Sequence, residues 1–421
     1  MINYQEGKMS VLRGNAVVGQ SGGPTAAINA TLAGVISGAI KSKIIDKVYG
    51  MKNGIEGLMA EELVLLNDIF SDKANLKMLI TTPAAALGSC RKKLPKASDS
   101  DYDEVFSGII SIFEKYDIRY FFYIGGNDSM DTVAKLSAYT EACGYEMRVI
   151  GVPKTVDNDL VGTDHTPGFG CAAKYISTTV QEIVHDTAVY KTKAVTIVEI
   201  MGRDAGWLTA SSALSRICGG MYPDLVYLPE RAFDMDKFME DVERIMEIKP
   251  NVVVCVSEGL QFADGRFVGE GTQGGAVDAF GHKYLAGTGK ALELAVKDRI
   301  GCKVRSIELG LPQRCASHIS SACDINESVG VGNAAVKAAE SGVTREMMVI
   351  TRSGDGEEYS SVFGHMDIDL IANKTKYVPD SFINDAGNNV TDECLEYILP
   401  LIDGEIYPEF VNGMPKYFIF S

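Results

Sequence analysis

Short apolar runs alternate with amphipathic helical patterns along most of this chain, and no other feature restricts its fold as much. Strand-like runs occupy 15–19, 120–124, 147–152, 194–200, 252–256 and 303–307. Helical patterns lie between them, over 27–40, 131–143 and 174–187 among others. Strands separated in this way pair in parallel, with helices packed on both faces of the sheet. At 421 residues the chain is long for one domain, so two or three are expected. Ligands of open α/β sheets bind at the loops that leave the carboxyl ends of the strands, so those loops are read first.

Two of them carry most of the chemistry. Gly125-Gly126-Asn127-Asp128-Ser129-Met130 follows one apolar run, and Pro153-Lys154-Thr155-Val156-Asp157-Asn158-Asp159 follows another. A glycine pair at a strand end lets backbone amides approach an anion closely. The second loop offers a cation, a hydroxyl and two carboxylates. An alcohol is too weak an acid to ionise at neutral pH, and a carboxylate that takes its proton during attack contributes roughly 10²–10⁴-fold in rate. Asp157 and Asp159 read either as such a base or as a turn pair that caps a helix. Lys154 beside them would neutralise phosphate oxygens as charge shifts to a leaving group. Together these groups point to phosphoryl transfer.

Other strand-end loops add polar groups. Gly22-Gly23 follows a strand and precedes a helical pattern, with Pro24 placed near the first turn; it reads as a phosphate cradle or as a tight βα turn. Neither a complete G-x-G-x-x-G nor an acid on a ribose is found, which argues against an NAD-binding oxidoreductase. Gly287-Thr288-Gly289-Lys290 is not a P-loop, because Tyr284 and Ala291 stand where a glycine and a magnesium-binding hydroxyl are needed. Lys290 is therefore read as a helix-start residue. In Met201-Gly202-Arg203-Asp204-Ala205-Gly206-Trp207, Arg203 suits a phosphate or carboxylate and Trp207 suits the core. Ser257-Glu258-Gly259 and Gln313-Arg314 close two further strand–turn units, and Glu258 can accept hydrogen bonds from hydroxyls.

A net charge of −16 argues against general binding to nucleic acid or an anionic membrane. An anionic substrate must then be drawn by local lysines and arginines. The nine cysteines form no CxxC pair, and Cys143, Cys171 and Cys255 lie in apolar stretches, so buried free thiols in a reducing cytosol are expected. With no stretch of membrane-spanning length and no signal-peptide core near the N-terminus, a cytoplasmic protein is expected. The five histidines show no ligand spacing and are read as structural or surface residues. Residues 261–286 are glycine-rich, with Gly269, Gly271, Gly274, Gly275 and Gly281, and read as a long loop or lid. From about 376 onward the patterns are mixed, with one weak strand at 417–419.

Taken in order, Gly22-Gly23, Leu87-Gly88-Ser89-Cys90-Arg91, the GGND segment, the PKTVDND segment, Met201-Gly202-Arg203, Ser257-Glu258-Gly259 and Gln313-Arg314 make the chain resemble the phosphofructokinase superfamily over about 15–370. Within it the chain resembles the pyrophosphate-dependent branch, because ATP-using members carry glycine where Asp128 and Lys154 stand. A carboxylate at Asp128 would occupy and repel the α-phosphate region of a nucleotide, and Lys154 would supply a cation to the shorter donor. The resemblance implies an α/β fold of two Rossmann-like three-layer domains facing each other across a cleft, plus a C-terminal extension. Residues 10–168 with a return segment of about 313–370 would bind pyrophosphate. Residues 169–312 with part of 371–421 would bind fructose 6-phosphate.

The resemblance further implies reversible transfer of a phosphoryl group from pyrophosphate to the 1-hydroxyl of fructose 6-phosphate, in glycolysis or gluconeogenesis. Asp157 would be the base, Lys154 would stabilise the transferring group, and Asp128 would complete the catalytic set. Gly22 and Arg91 would join Asp128 and Lys154 on pyrophosphate. Thr155, Asp157, Met201, Gly202, Arg203, Glu258, Gln313 and Arg314 would form the sugar-phosphate site. Arg305, with Lys193 nearby, would reach it from a neighbouring subunit, so a homodimer or homotetramer is implied. Magnesium is the implied cofactor. Many relatives carry an aspartate where Asn127 stands, so Asn127 would act through water and pyrophosphate itself would hold most of the ion. Leu311 departs from the histidine of ATP-using relatives. The alternatives are an ATP-dependent 6-phosphofructokinase and a non-catalytic sugar-phosphate-binding subunit, although the latter would be expected to lack Asp157.

Overall fold

The computed structural model describes residues 11–270, 287–354 and 356–420. In chain order the strands are β1 (Gly14–Gln20), β2 (Ile45–Met51), β3 (Leu63–Leu65), β4 (Ile118–Gly125), β5 (Arg148–Pro153), β6 (Ala194–Ile200), β7 (Leu225–Tyr227), β8 (Asn251–Ser257), β9 (Lys303–Glu308), β10 (Ser320–Ser321), β11 (Glu346–Ser353) and β12 (Ser360–Asp367). Among the described residues eleven of them build a seven-stranded sheet ordered β12-β11-β5-β4-β1-β2-β3 and a four-stranded sheet ordered β7-β8-β6-β9, while β10 pairs with the short strand Glu405–Ile406. Within these two sheets pairing is parallel except at the two edges of the larger one, where β3 and β12 run antiparallel. The two sheets with their helices give the expected α/β architecture.

Strand β4 explains why the larger sheet sits deep. Seven of its eight residues are buried, the exception being Arg119. Phe121 and Tyr123 face one layer, while Tyr120, Phe122 and Ile124 face the other. A parallel strand covered by helices on both sides needs apolar residues at every position. Helix Ile28–Lys41, which follows β1, packs in one layer, and helix Asn127–Cys143, which follows β4, packs in the opposite one. The connections therefore leave β1 and β4 in opposite directions and open a crevice between their carboxyl ends. Open α/β sheets place ligands at such a switch point. In the smaller sheet, Val195, Ile197, Val252 and Val254 face helices Met235–Ile248 and Thr288–Ile300. Its other face, through Val198, Ile200, Val253 and Cys255, packs on helix Phe169–Ala188.

Some local expectations change. The glycine pair at 22–23 does not open a helix. Helix Ile28–Lys41 begins four residues after Pro24, with Ala27 at its N-cap, so Pro24 belongs to the loop. Helix Asn127–Cys143 starts earlier than the apolar period at 131, because its first turn is polar. Residues 417–419 are not a strand. The Phe418 amide donates to Thr82 Oγ1 at 2.8 Å, and its ring packs 5.1 Å from Phe70. Cys143 is exposed, whereas Cys171 and Cys255 are buried, and all nine thiols are free. Lys290 lies in the first turn of its helix and pairs with Glu293 at 2.7 Å. Most of the glycine-rich segment (Gly271, Gly274, Gly275 and Gly281, with His282 and Tyr284) lies outside the described residues. Within them, no helix is long and apolar enough to cross a membrane.

Candidate active site

The crevice at β1 and β4 is lined by three loops. Gly22 has φ +77°, a left-handed conformation that favours glycine, and a Cβ there would stand 3.3 Å from Lys154 Nζ. Its amide donates to Cys90 O at 3.1 Å, and Ser89 Oγ donates to its carbonyl at 2.6 Å. The Gly22 amide is thus committed to the loop that carries Arg91. An anion above this turn meets the bare α-carbon and the neighbouring ammonium instead of that amide. Lys154 extends the β5 ladder, its amide donating to Gly125 O at 3.0 Å. Its side chain is buried and donates to Gly23 O at 2.6 Å. Burial lowers the Lys154 pKa to about 8; Asp157 resists that shift and Arg314 adds to it.

The base candidates sit in the turn that follows. The Asp157 amide donates to Thr155 Oγ1 at 3.1 Å, and that hydroxyl lies 3.4 Å from Asp157 Oδ2. Asn158, between the two acids, is left-handed at φ +53°. Burial pushes the Asp157 carboxyl up, against the pull of Lys154. Burial also pushes Asp159 up to about 7, and the charge of Asp157 adds to that. The pair occupies a turn and caps no helix, since the following helix has Gly168 at its N-cap.

The smaller sheet supplies the opposing wall. Gly202 has φ +134°, and a Cβ there would come within 2.6 Å of Ala205 O. Its amide faces Glu258 Oε1 at 3.4 Å, and its carbonyl accepts from Ser257 Oγ. Gln313 Oε1 accepts from the Met201 amide at 3.2 Å, while Gln313 Nε2 donates to Gly310 O at 3.0 Å. Gly259 lies so close to the Arg203 carbonyl that a Cβ would sit 1.8 Å from it. These bonds lock the loops after β6, β8 and β9 together. Burial and then the charge of Asp157 raise Glu258 to about 8. Arg314 reaches across to the other wall, since a Cβ on Gly23 would stand 2.9 Å from its Nη1. Its pKa is lowered by burial and then by the charge of Arg91.

Gly22, Arg91, Lys154, Thr155 and Asp157 thus face Met201, Gly202, Arg203, Glu258, Gln313 and Arg314 across one crevice. Asp128 lies in the first turn of helix Asn127–Cys143 and pairs with Lys93 at 3.0 Å, so its carboxylate is not bare. Arg305 stands apart. It is exposed in the middle of edge strand β9, opposite Thr196 of β6, away from the carboxyl ends. Asn127 Nδ2 donates to Lys374 O at 2.9 Å, a carbonyl that can only accept, which fixes the amide's orientation. Asn127 Oδ1 is left buried without a partner. Among the described residues no group of three His, Cys, Asp or Glu side chains can hold a metal. A cation that arrives ligated by its substrate, taking one neutral oxygen from the protein, fits this donor set.

Asp204, Glu230 and Lys376 were not singled out from the sequence. Asp204 pushes the Asp157 pKa up. Glu230 Oε1 accepts from the Gly206 amide at 2.8 Å. Its position after Pro229, two residues past β7, is the strand-end signal that would have found it. Lys376 lies in irregular chain, where no periodicity marks it.

Residues 15–339 match the phosphofructokinase family. The pyrophosphate–fructose 6-phosphate 1-phosphotransferase of Halomonas elongata is 41% identical over 406 residues, covering 96% of this chain and 95% of that protein. The enzyme of the same name from Xanthomonas campestris pv. campestris is 40% identical over 407 residues, with the same coverage of 96% and 95%. The crystal structure of a pyrophosphate-dependent phosphofructokinase from Nitrosospira multiformis superposes with a TM-score of 0.85 at 36% identity, over 96% of this chain and 95% of that one.

Proposed function

This chain belongs to the phosphofructokinase family, and from that premise we propose that it transfers a phosphoryl group reversibly between pyrophosphate and the 1-hydroxyl of fructose 6-phosphate, a glycolytic step. Relatives that carry this activity in their names span nearly the whole chain. The observation that carries the reading is the placement of Lys154. Its buried ammonium stands between the Gly22-Gly23 turn and the Asp157 loop, with Arg314 on the far side of Gly23.

Pyrophosphate lies over the Gly22-Gly23 turn, its charge met by Lys154 and Arg91, with Asp128 at the rim. A carboxylate there, tied to Lys93, narrows the room for a nucleotide's α-phosphate. The sugar lies against Met201, Gly202 and Arg203. Glu258, raised to about 8 by burial and the charge of Asp157, hydrogen-bonds a sugar hydroxyl, while Arg314 takes the 6-phosphate. Asp157 removes the proton of the 1-hydroxyl as that oxygen bonds to the nearer phosphorus and the bridging P–O bond breaks. The departing phosphate carries away the bridging oxygen, and Lys154 offsets the charge that builds on the phosphoryl oxygens. Magnesium bound to pyrophosphate would supply further charge neutralisation, with Asn127 Oδ1 as the protein's nearest neutral ligand.

We assign 10–168 with about 313–370 to the donor half, and 169–312 with part of 371–421 to the sugar half. Arg305 and Lys193 serve the sugar phosphate of a neighbouring subunit, which requires at least a dimer. The test is ³¹P NMR of the purified chain with magnesium, pyrophosphate and fructose 6-phosphate. The expected result is loss of the pyrophosphate signal with matching growth of orthophosphate and a 1-phosphate ester, and the reverse when fructose 1,6-bisphosphate and orthophosphate are supplied. Unchanged pyrophosphate would reject the reading.

A further inference from the structure

One segment touches every wall of this crevice without lining it. Residues 373–378 have no helix and only one isolated bridge, Thr375 to Leu160. Lys374 O accepts from Asn127, at the donor loop. The Lys376 amide donates to Asp159 O at 2.7 Å. Its ammonium donates to Asn158 Oδ1 at 3.1 Å and to Asp164 O at 2.6 Å, closing both ends of the loop that bears Asp157. On the other side, the Lys376 carbonyl accepts from Trp207 Nε1 at 3.2 Å, and the ammonium stands 5.2 Å from the centre of that indole. The Val378 amide then donates to Glu230 Oε1 at 2.9 Å, the same oxygen that holds the Gly206 amide.

The decisive position is Asn158. Asn158 is left-handed at φ +53°, a region asparagine enters more readily than other non-glycine residues, and it sits directly between Asp157 and Asp159, so whatever holds its side chain acts on the turn that carries both acids. Lys376 is the cation that grips its side-chain oxygen. We propose that Lys376 is a positioning residue for the phosphoryl transfer: through Asn158, Asp159 and Trp207 it fixes the loop of Asp157 against the loop of Arg203, so that base and sugar are presented at one distance. The inference rests on the function proposed above and adds to it the element that couples the two walls. Burial lowers the Lys376 pKa to about 8, with Asp164 and Asp159 opposing the shift. The Lys376 residue is half-buried, and its ammonium end is the part turned inward, onto Asn158 Oδ1, Asp164 O and the Trp207 ring.

The test uses the full chain and begins with wild-type turnover from pyrophosphate. Without that turnover the functional reading fails and this inference falls with it. With wild-type turnover in hand, Lys376→Met is expected to lower kcat about 30-fold while KM for either substrate changes less than about threefold, as suits a group that touches neither substrate. In Lys376→Ala, n-propylamine is expected to restore at least several-fold of the lost rate. A folded Lys376→Met with wild-type kcat would overturn the inference, as would a loss confined to KM. Should neither Lys376 variant fold, Trp207→Phe, which keeps a ring but drops the donor to the Lys376 carbonyl, is expected to lower kcat about threefold with KM held. Unchanged kcat in that variant would equally overturn it.

Discussion

Two clusters of buried charge lie close together in this molecule, and their pKa values move in opposite directions. In the first, His165 stands between Asp164 and Glu327, at 2.8 and 2.6 Å, and Glu327 also accepts from the Tyr359 hydroxyl at 2.6 Å. Although burial opposes it, hydrogen bonding and charge drive His165 up and Asp164 and Glu327 down, toward full ionisation. In the second, at the crevice, burial wins. Lys154 falls, while Asp157, Asp159 and Glu258 rise, toward neutrality. The difference is one of partners. Each ring nitrogen of His165 has a carboxylate, whereas Lys154 makes its bond to a neutral carbonyl. A cluster satisfied from within holds the fold together. A cluster in which burial outweighs charge pairing gives up stability to hold its groups ready for a charged ligand.

This contrast is sharpest at Asp157. Serine there removes the base, and kcat is expected to fall roughly 10²–10⁴-fold in steady-state assays. Fructose 6-phosphate binding, read by calorimetry, should persist. A carboxyl whose folded pKa is raised costs stability once pH passes its unfolded value of about 3.9, so the Asp157→Ser melting temperature at neutral pH should equal or exceed that of wild type. A clear loss of melting temperature would move Asp157 into the structural class. At Lys154, methionine is expected to lower kcat about 10²–10³-fold, the usual cost of one preorganised charge donor. In the wild type the same ammonium deprotonates near pH 8, so kcat/KM for pyrophosphate should fall as pH rises past about 8, approaching tenfold per unit. A profile flat to pH 10 would show that the ammonium is not needed in the free enzyme.

His165→Gln should do the reverse of Asp157→Ser. Breaking a buried ion cluster costs about 3–5 kcal/mol of folding stability, measured by denaturant unfolding at pH 6. The raised His165 pKa means that its stabilisation is complete below its unfolded pKa of about 6.5 and fades as pH rises through the folded value. The lowered pKa values of Asp164 and Glu327 mean that theirs is complete above their unfolded values and fades as pH falls. The gap between wild type and His165→Gln should therefore be widest near pH 5–6 and narrow as pH rises through the raised His165 value. A gap that widens with pH would reverse the assignment.

How much of this was readable beforehand follows the same physics. Strand-end chemistry was legible, because a lysine, a threonine and two aspartates after a β-branched run mark a loop whatever else surrounds it. Most of the expected site residues do meet at one crevice. The exact use of Gly22 was not legible, since nothing in a glycine pair says that its amide is spent on Cys90. Asp128 reads as a bare carboxylate until Lys93 is found beside it. The segment around Lys376 was silent because its work is done through backbone carbonyls and amides, which leave no periodic trace. Trp207 packs in the core, as its place after a strand implies, yet its indole nitrogen also ties that core to Lys376.

The proposed selection of inorganic pyrophosphate over a nucleotide as donor rests on Asp128 at the rim of the crevice and the buried ammonium of Lys154 within it. The most direct test is the ratio of kcat/KM for pyrophosphate to that for ATP, measured with fructose 6-phosphate and magnesium at pH 7.5. A ratio of at least about 10², corresponding to about 2.7 kcal/mol of discrimination, is the result expected here. Efficient turnover with ATP and none with pyrophosphate would contradict it.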